Sequence, residues 1–483
     1  MKNDELYELI GDIDEKMVQA AAVPPVKKNR RRIIKMIISV AACLAVAVGA
    51  GIWIQNAGKP NNHYNTYRGD MLVAAAAYPE MPAHPKEGDE KGWNEWNTAV
   101  KALSQQPEGY KAGFDGFFAN STKEFLRNTQ ANNKVYSPLS LYMALGMTAE
   151  ISGGNTRQQI LSILNQDSIE SMRSHAQSVW QANYMNDGVA KCLIANSLWT
   201  NKKLSCLQKA ADTVASYYYA SVFTGDPTDQ AYSKLMQDWI NEQTDNLLKD
   251  SLSDFQMSHD MLIALASTVN YSGQWVNKFE KSKTAQGTFH AVSGNQTCDF
   301  MHASTLTNYF WGEKFSSIAL PLQSNGEMRL ILPDEGVSPE ELLQDDEVYR
   351  YMMSRMYPGE MFENCKHVSA DLTVPKFDVS SSTDLTDGLK ALGMRDVFDM
   401  QKGDFTPLTA LKPTAISAAK QDARVMIDEE GAKAAAVTRI ITNGATMPED
   451  HVNFVLDRPF VFEIMSENGL PLFVGIVNHP TAT

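Results

Sequence analysis

From residue 110 onward, apolar positions recur in two rhythms. Phe114, Phe117, Phe118, Phe125 and Leu126 fall at the spacing of one face of a helix. A second helix is predicted over 139–151 and a third over 156–164. Alternating or continuous apolar runs at 192–198, 261–271, 328–332, 368–377, 425–427, 460–464 and 471–477 predict strands. Helices come early and strands late. That order points to an α+β architecture rather than to alternating βαβ units.

Ahead of residue 110 the pattern breaks into three pieces. Leu6, Leu9, Ile10, Ile13 and Met17 sit at helical spacing in an acidic stretch that ends at Pro24-Pro25. A basic cluster comes next: Lys27, Lys28, Arg30, Arg31, Arg32 and Lys35. Residues 36–54 then run nineteen positions without a charge and end near Trp53. As a helix this span is about 28 Å long, close to the thickness of a bilayer core. A buried soluble helix is the alternative, and six cations at one end fit it poorly. The cations place 1–35 inside as a short cytoplasmic head and the chain after 55 outside, with 36–54 as a single transmembrane anchor. Val40-Ala41-Ala42-Cys43 resembles a lipoprotein processing box, so lipid-anchored and secreted products of cleavage stand as alternatives. Residues 55–109 read as a tether rich in Pro, Gly and Asn that merges into the domain of 110–483. Pro79, Pro82 and Pro85 favour extended chain there, and the apolar run 71–77 is suited to dock on the domain.

Composition narrows the function. With 43% hydrophobic and 21% charged residues among 483, the chain is globular rather than disordered or collagen-like. A net charge of −14 is the wrong sign for a nucleic-acid partner. The five cysteines form no Cys-x-x-Cys pair, and the nine histidines form no ligand pair at helical spacing. Gly153-Gly154-Asn155-Thr156 lacks the lysine of a phosphate loop, and no nucleophile elbow occurs. We therefore expect no catalytic residues, no metal and no cofactor, and a chain that binds rather than catalyses.

Eight motifs in order carry a family resemblance. They are Val135-Tyr136-Ser137-Pro138-Leu139-Ser140-Leu141, Gly153-Gly154-Asn155-Thr156-Arg157-Gln158-Gln159-Ile160, Ile194-Ala195-Asn196-Ser197-Leu198-Trp199, Asp238-Trp239-Ile240-Asn241-Glu242-Gln243-Thr244, Asn270-Tyr271-Ser272-Gly273-Gln274-Trp275, Leu332-Pro333-Asp334-Glu335-Gly336, Val374-Pro375-Lys376-Phe377 and Asp457-Arg458-Pro459-Phe460-Val461-Phe462. Together they resemble the serpins over roughly 110–481, in the manner of a bacterial, membrane-anchored, inhibitory type. The resemblance implies helices packed on a large mixed central sheet, two further sheets, and an exposed reactive-centre loop at about 429–452.

The stretch Asp428-Glu429-Glu430-Gly431-Ala432-Lys433-Ala434-Ala435-Ala436-Val437-Thr438 is the most informative. Alone, it reads as a helix N-terminus or a flexible loop. In its place before the C-terminal strands it resembles the serpin hinge, made of Glu429, Glu430, Gly431, Ala432, Ala434, Ala436 and Thr438. Strand alternation puts Ala432, Ala434, Ala436 and Thr438 on one small, uncharged face and Lys433, Ala435, Val437 and Arg439 on the other. The loop can thus enter a sheet with its charges in water. The resemblance implies that it does so once cut, carrying an acylated serine protease with it. Before cleavage the loop is expected to lie outside the sheet. Serpin spacing puts the reactive bond at Ala445-Thr446, with Met447 as a neighbouring site. Alanine there suits an elastase-like pocket; Arg439 lies too close to the hinge.

By the same resemblance Ser137, Ser140, Asn270 and Gln421 guard the sheet opening, Gln421 standing where many serpins have histidine. Trp275 lies where the loop first enters, and reads equally well as a core aromatic. The expected partner is an extracellular serine protease, met by a monomer tethered through 36–54. A non-inhibitory serpin serving as carrier, adhesin or chaperone at the cell surface is the alternative.

Overall fold

The alternation of the strand segments resolves into two sheets in the computed structural model. It describes residues 70–480 apart from 77, 80, 83–84, 87, 187–190, 324–325, 356–360, 418 and 433–449. The basic head, the apolar span 36–54, hinge positions 434, 436 and 438, and the Ala445-Thr446 bond lie outside the described residues.

The first sheet has eight strands: β1 (Leu72–Ala74), β3 (Met185–Asn186), β4 (Lys191–Asn201), β5 (Ala220–Gly225), β6 (Ile263–Gln274), β12 (Phe377–Asp384), β13 (Lys420–Asp428) and β14 (Gly431–Ala432). Their order is β1-β5-β4-β6-β14-β13-β12, with β3 on β4. It is mixed, because β4 and β5 run parallel while the other pairs are antiparallel. The second sheet has nine: β2 (Lys134–Tyr136), β7 (Ala285–Ala291), β8 (Gly294–Trp311), β9 (Phe315–Pro321), β10 (Glu327–Pro333), β11 (Cys365–Pro375), β15 (His451–Val455), β16 (Phe460–Met465) and β17 (Pro471–Val477). They take the order β15-β11-β8-β9-β10-β16-β17-β2, with β7 on β8.

Two further sheets were expected beside the central one, and the described residues form one. The cause is β8. At 18 residues it is long enough to pair with β11 over most of its length and with β9 at its end, so the two would-be sheets share a strand.

The Pro138–Ile151 helix explains how these layers meet. Ser137 caps it, accepting a hydrogen bond from the Ser140 N–H at 3.2 Å, and Pro138 takes the first turn, where no N–H is needed. Its residues are apolar all round and almost all buried, as expected of a helix inside a core rather than on it. It packs against β6 and β17, one strand from each sheet. On the opposite face of the first sheet lies a smaller core of Trp199, Phe223, Tyr232 and Trp239, closed by the Gln230–Gln243 helix.

The stretch read as a tether is partly structured. β1 pairs with β5 at the edge of the first sheet. Tyr78 stacks on Trp180 at 5.6 Å, and a helix forms over Glu90–Ser104, capped by Asp89. Among the described residues no helix is long and apolar enough to cross a membrane.

Candidate functional site

The first sheet is split down its middle. β6 and β13 are neighbours in space, yet among the described residues they nowhere pair with each other. Only β14 bridges them: Gly431 lies opposite Gln274 on one side and Asp428 on the other, and Ala432 opposite Gly273 and Ile427. Below this two-residue stitch the strands face each other across a narrow cleft, lined among others by Ser137, Ser140, Ser267, Asn270, Gln421 and Arg424. The expectation that the intact loop stays outside the sheet is therefore corrected at its first step. Gly431 and Ala432 already lie within it.

Gly431 is the one residue type that permits this. Its φ is +134°, and a Cβ there would sit 2.5 Å from the Gly273 carbonyl oxygen. The turn before it is held by side chains. Trp275, 1% exposed, donates from Nε1 to the Asp428 carbonyl at 2.9 Å and from its backbone N–H to the Glu430 carbonyl at 3.0 Å. Trp275 is thus both a core aromatic, edge-on to Phe279, and a clamp on the hinge.

The acidic pair is anchored by cations that the sequence alone does not assign. Glu429 accepts from Thr284 Oγ1 at 2.8 Å and lies 3.4 Å from Lys376 Nζ. Glu430 accepts from Lys278 at 2.6 Å, with Lys281 at 3.4 Å. A signal exists: Lys278, Lys281 and Lys283 come soon after Trp275, and Lys376 stands inside the Val374-Pro375-Lys376-Phe377 motif.

Both carboxyls are held below their usual range. For Glu429, burial pushes upward and is outweighed by its backbone N–H, the Thr284 hydroxyl and Lys376. For Glu430 the Lys278 hydrogen bond leads, burial opposes it, and Lys281 adds. A carboxyl lowered in the folded state lends stability above its unfolded value of 4.5 and withdraws it as pH falls through the folded value. We expect the wild-type urea midpoint to drop between about pH 5 and pH 3, and Glu429→Gln with Glu430→Gln to flatten that drop.

Around the cleft, one helix start touches both of its walls. The Gln421 side chain on β13 accepts from the Ser137 N–H at 2.9 Å and donates to the Ser137 carbonyl at 3.0 Å. Ser140 Oγ donates to the Ser267 carbonyl on β6 at 2.7 Å. Asn270 does not join them. Its side chain donates to Asp245 at 2.9 Å, beside Lys191. Alternation is the reason: Val269 and Tyr271 face the main core, whereas Ala264, Ala266 and, by the same parity, Asn270 face the other side. Replacing Gln421 with Ala strands the buried Ser137 N–H. A loss of about 1–3 kcal/mol is expected, measurable as a lower urea midpoint with an unchanged slope.

This geometry coincides with a family assignment. Residues 115–480 match the profile described as Serpin (serine protease inhibitor), and the chain belongs to that family. Human Serpin B4 is 25% identical over 377 residues, covering 73% of this chain and 95% of the relative. The human leukocyte elastase inhibitor is 26% identical over 362 residues, covering 73% and 94%. Among solved structures, the thermophilic serpin tengpin in its native state superposes with a TM-score of 0.68 at 24% identity, over 78% of this chain and 95% of that one. Serpins are protease inhibitors rather than catalytic enzymes, and so is the class to which this chain is assigned.

Proposed function

We propose that this chain inhibits an extracellular serine protease, of elastase-like preference, by suicide insertion of its reactive loop. The observation that carries the reading is the split sheet with the hinge already stitched into its top. Continuing the register of β14 sets position 434 opposite Tyr271 and Val425, 436 opposite Val269 and Ala423, and 438 opposite Ser267 and Gln421. On β13 these partners belong to the buried set Gln421, Ala423, Val425 and Ile427, with half-buried residues between them. Two small alanines therefore meet apolar partners, and Thr438 meets the polar pair, where Ser267 Oγ is buried without a partner among the described residues.

A strand of about 15 residues paired on both sides gains on the order of 10–20 kcal/mol at roughly 1 kcal/mol per hydrogen bond. The uncut form is then a kinetic trap. Insertion carries an attached protease about 50 Å at 3.3 Å per residue. A misplacement of about 1 Å in an active site already costs around a hundredfold in rate, so the acyl-enzyme is stranded. We further propose that 36–54 anchors the chain in a membrane with this domain outside, as a monomer.

Incubation with pancreatic-type elastase should give an SDS-stable complex and release a peptide of residues 446–483, identified by mass spectrometry. Cleavage near Arg439 without a complex would reject the register, and cleavage at Ala445 without a complex would favour a non-inhibitory role.

A further inference from the structure

In the second sheet, β10 and β16 each place a charged residue inside an apolar run: Arg329 in EMRLILP and Glu463 in FVFEIM. The two are direct cross-strand partners, so their side chains leave the same face. Both are shut away from solvent, at 1% and 0% exposure. A buried guanidinium opposite a buried carboxylate is expected to close into a hydrogen-bonded ion pair. This one does not close.

Arg329 uses its donors elsewhere. Nη1 donates to the Tyr351 and Met352 carbonyls at 2.6 and 2.7 Å, and Nη2 to the Ser354 carbonyl at 2.7 Å. Nε donates to Glu327 Oε1 at 2.7 Å, and Nη2 lies 2.6 Å from the same oxygen. An arginine has five N–H groups, and all five are committed. Arg329 therefore caps the C-terminal end of the Asp346–Met352 helix, and Glu327 balances its charge.

Glu463 is left over. Its Oε2 is 3.7 Å from Arg329 Nη1, and neither carboxyl oxygen has a hydrogen-bond partner among the described residues. Its other strand neighbour, Val474 on β17, is apolar. Tyr136 on β2, Tyr349 and Tyr351 on the capped helix, and Arg355 beyond it are the remaining titratable or charged groups around it. Burial pushes the Glu463 carboxyl up to about 8; Arg329 opposes the rise, Glu327 adds to it, and Arg355 opposes it.

We propose that Glu463 is a proton-held latch on this helix: as a neutral acid it leaves Arg329 on the helix carbonyls, and as an anion it draws Arg329 across the strand pair and uncaps the helix. The step is loss of one proton to solvent. A buried anion without a donor must acquire one. The nearest is Nη1, and turning it to Glu463 releases a helix carbonyl. The latch is independent of the split sheet and of any protease.

A carboxyl raised in the folded state costs stability as pH rises from its unfolded value of 4.5 toward its folded value, and no more beyond. Between about pH 6 and pH 9 the folding equilibrium should weaken by about a hundredfold through this group alone. The test compares the full chain with Glu463→Gln, which keeps the shape and cannot ionise. The wild-type infrared spectrum should show the carbonyl band of a protonated acid at pH 6 that Glu463→Gln lacks, and the band should vanish with a midpoint near 8. Amide exchange in the last turn of the Asp346–Met352 helix, corrected for intrinsic rates, should lose about tenfold or more of its protection from pH 6 to 9 in wild type and not in the variant. Absence of the acid band at pH 6, or its loss without any change in the helix, would overturn the proposal. Should the variant fail to fold, the wild-type band and exchange titration decide alone.

Discussion

Ala432→Arg should leave the reactive bond cleavable and abolish the covalent complex. Position 432 lies opposite Gly273 and Ile427, and Ile427 is buried in the main core. A guanidinium at that register position is set opposite a glycine and an isoleucine, and burying a charge without a partner costs about 3–5 kcal/mol. That cost falls on the first step of insertion, where it slows the strand by about two to four orders of magnitude. Deacylation by the still-intact protease then wins. Because Ala432 is in the sheet before cleavage, the substitution should also undo the stitch in the uncut protein, read as faster amide exchange in β6 near Gly273. Lys433→Ala is the paired control: strand alternation assigns it to the opposite face from Ala432, and trapping should persist. Undiminished complex stoichiometry with Ala432→Arg would sink the alternation argument.

The second large effect is expected at the hinge turn. Glu429→Lys removes the acceptor of the Thr284 hydroxyl and sets a cation beside Lys376, with Lys278 and Lys281 on the neighbouring Glu430. Breaking a pair that is largely out of solvent costs about 3–5 kcal/mol. The uncut protein should show a lower urea midpoint and lose inhibitory capacity on storage much faster than wild type. Lys376→Glu alone should do the same. The swapped double variant, Glu429→Lys with Lys376→Glu, should recover most of the loss, since the geometry is kept and only the signs exchange. If the double variant is as weak as the two singles added together, the ion pair is not what holds the turn.

Much of this is legible one segment at a time. The phenylalanines at 114–125 mark their helix because a face repeats every three or four residues, and the alternation along 420–428 marks β13. The small residues after Gly431 suit the insertion proposed above, because one face of an inserted strand must be small. Pairing is a different matter. Nothing in β6 or β13 says that they stand side by side unpaired, since the two segments are far apart in the chain and each would read the same in a closed sheet. Lys376 and Glu429 likewise look like ordinary surface charges until folding brings them together. Arg329 and Glu463 each interrupt an apolar run, a local signal that two charges lie inside, but only the register of β10 on β16 shows them to be opposite. The helices Ile169–Asn183 and Gln208–Tyr218 were not predicted, although each carries an apolar face at the same spacing as the first.

The two residues of β14 bear on how trapping is timed. Starting a new strand inside a sheet is the improbable event, because ends must be brought together before any pairing rewards them. Here that nucleus exists in the uncut protein, hydrogen-bonded to β6 and β13 alike. On the mechanism proposed above, cleavage would leave only elongation to be done, with one polarity: away from Gly431, toward the bound protease. Distance from the nucleus therefore becomes time. If insertion runs as proposed, a bulky or charged side chain at 434 should halt growth almost at once, whereas the same change at 438 should act after several pairs have closed and the protease has already been pulled from its starting position.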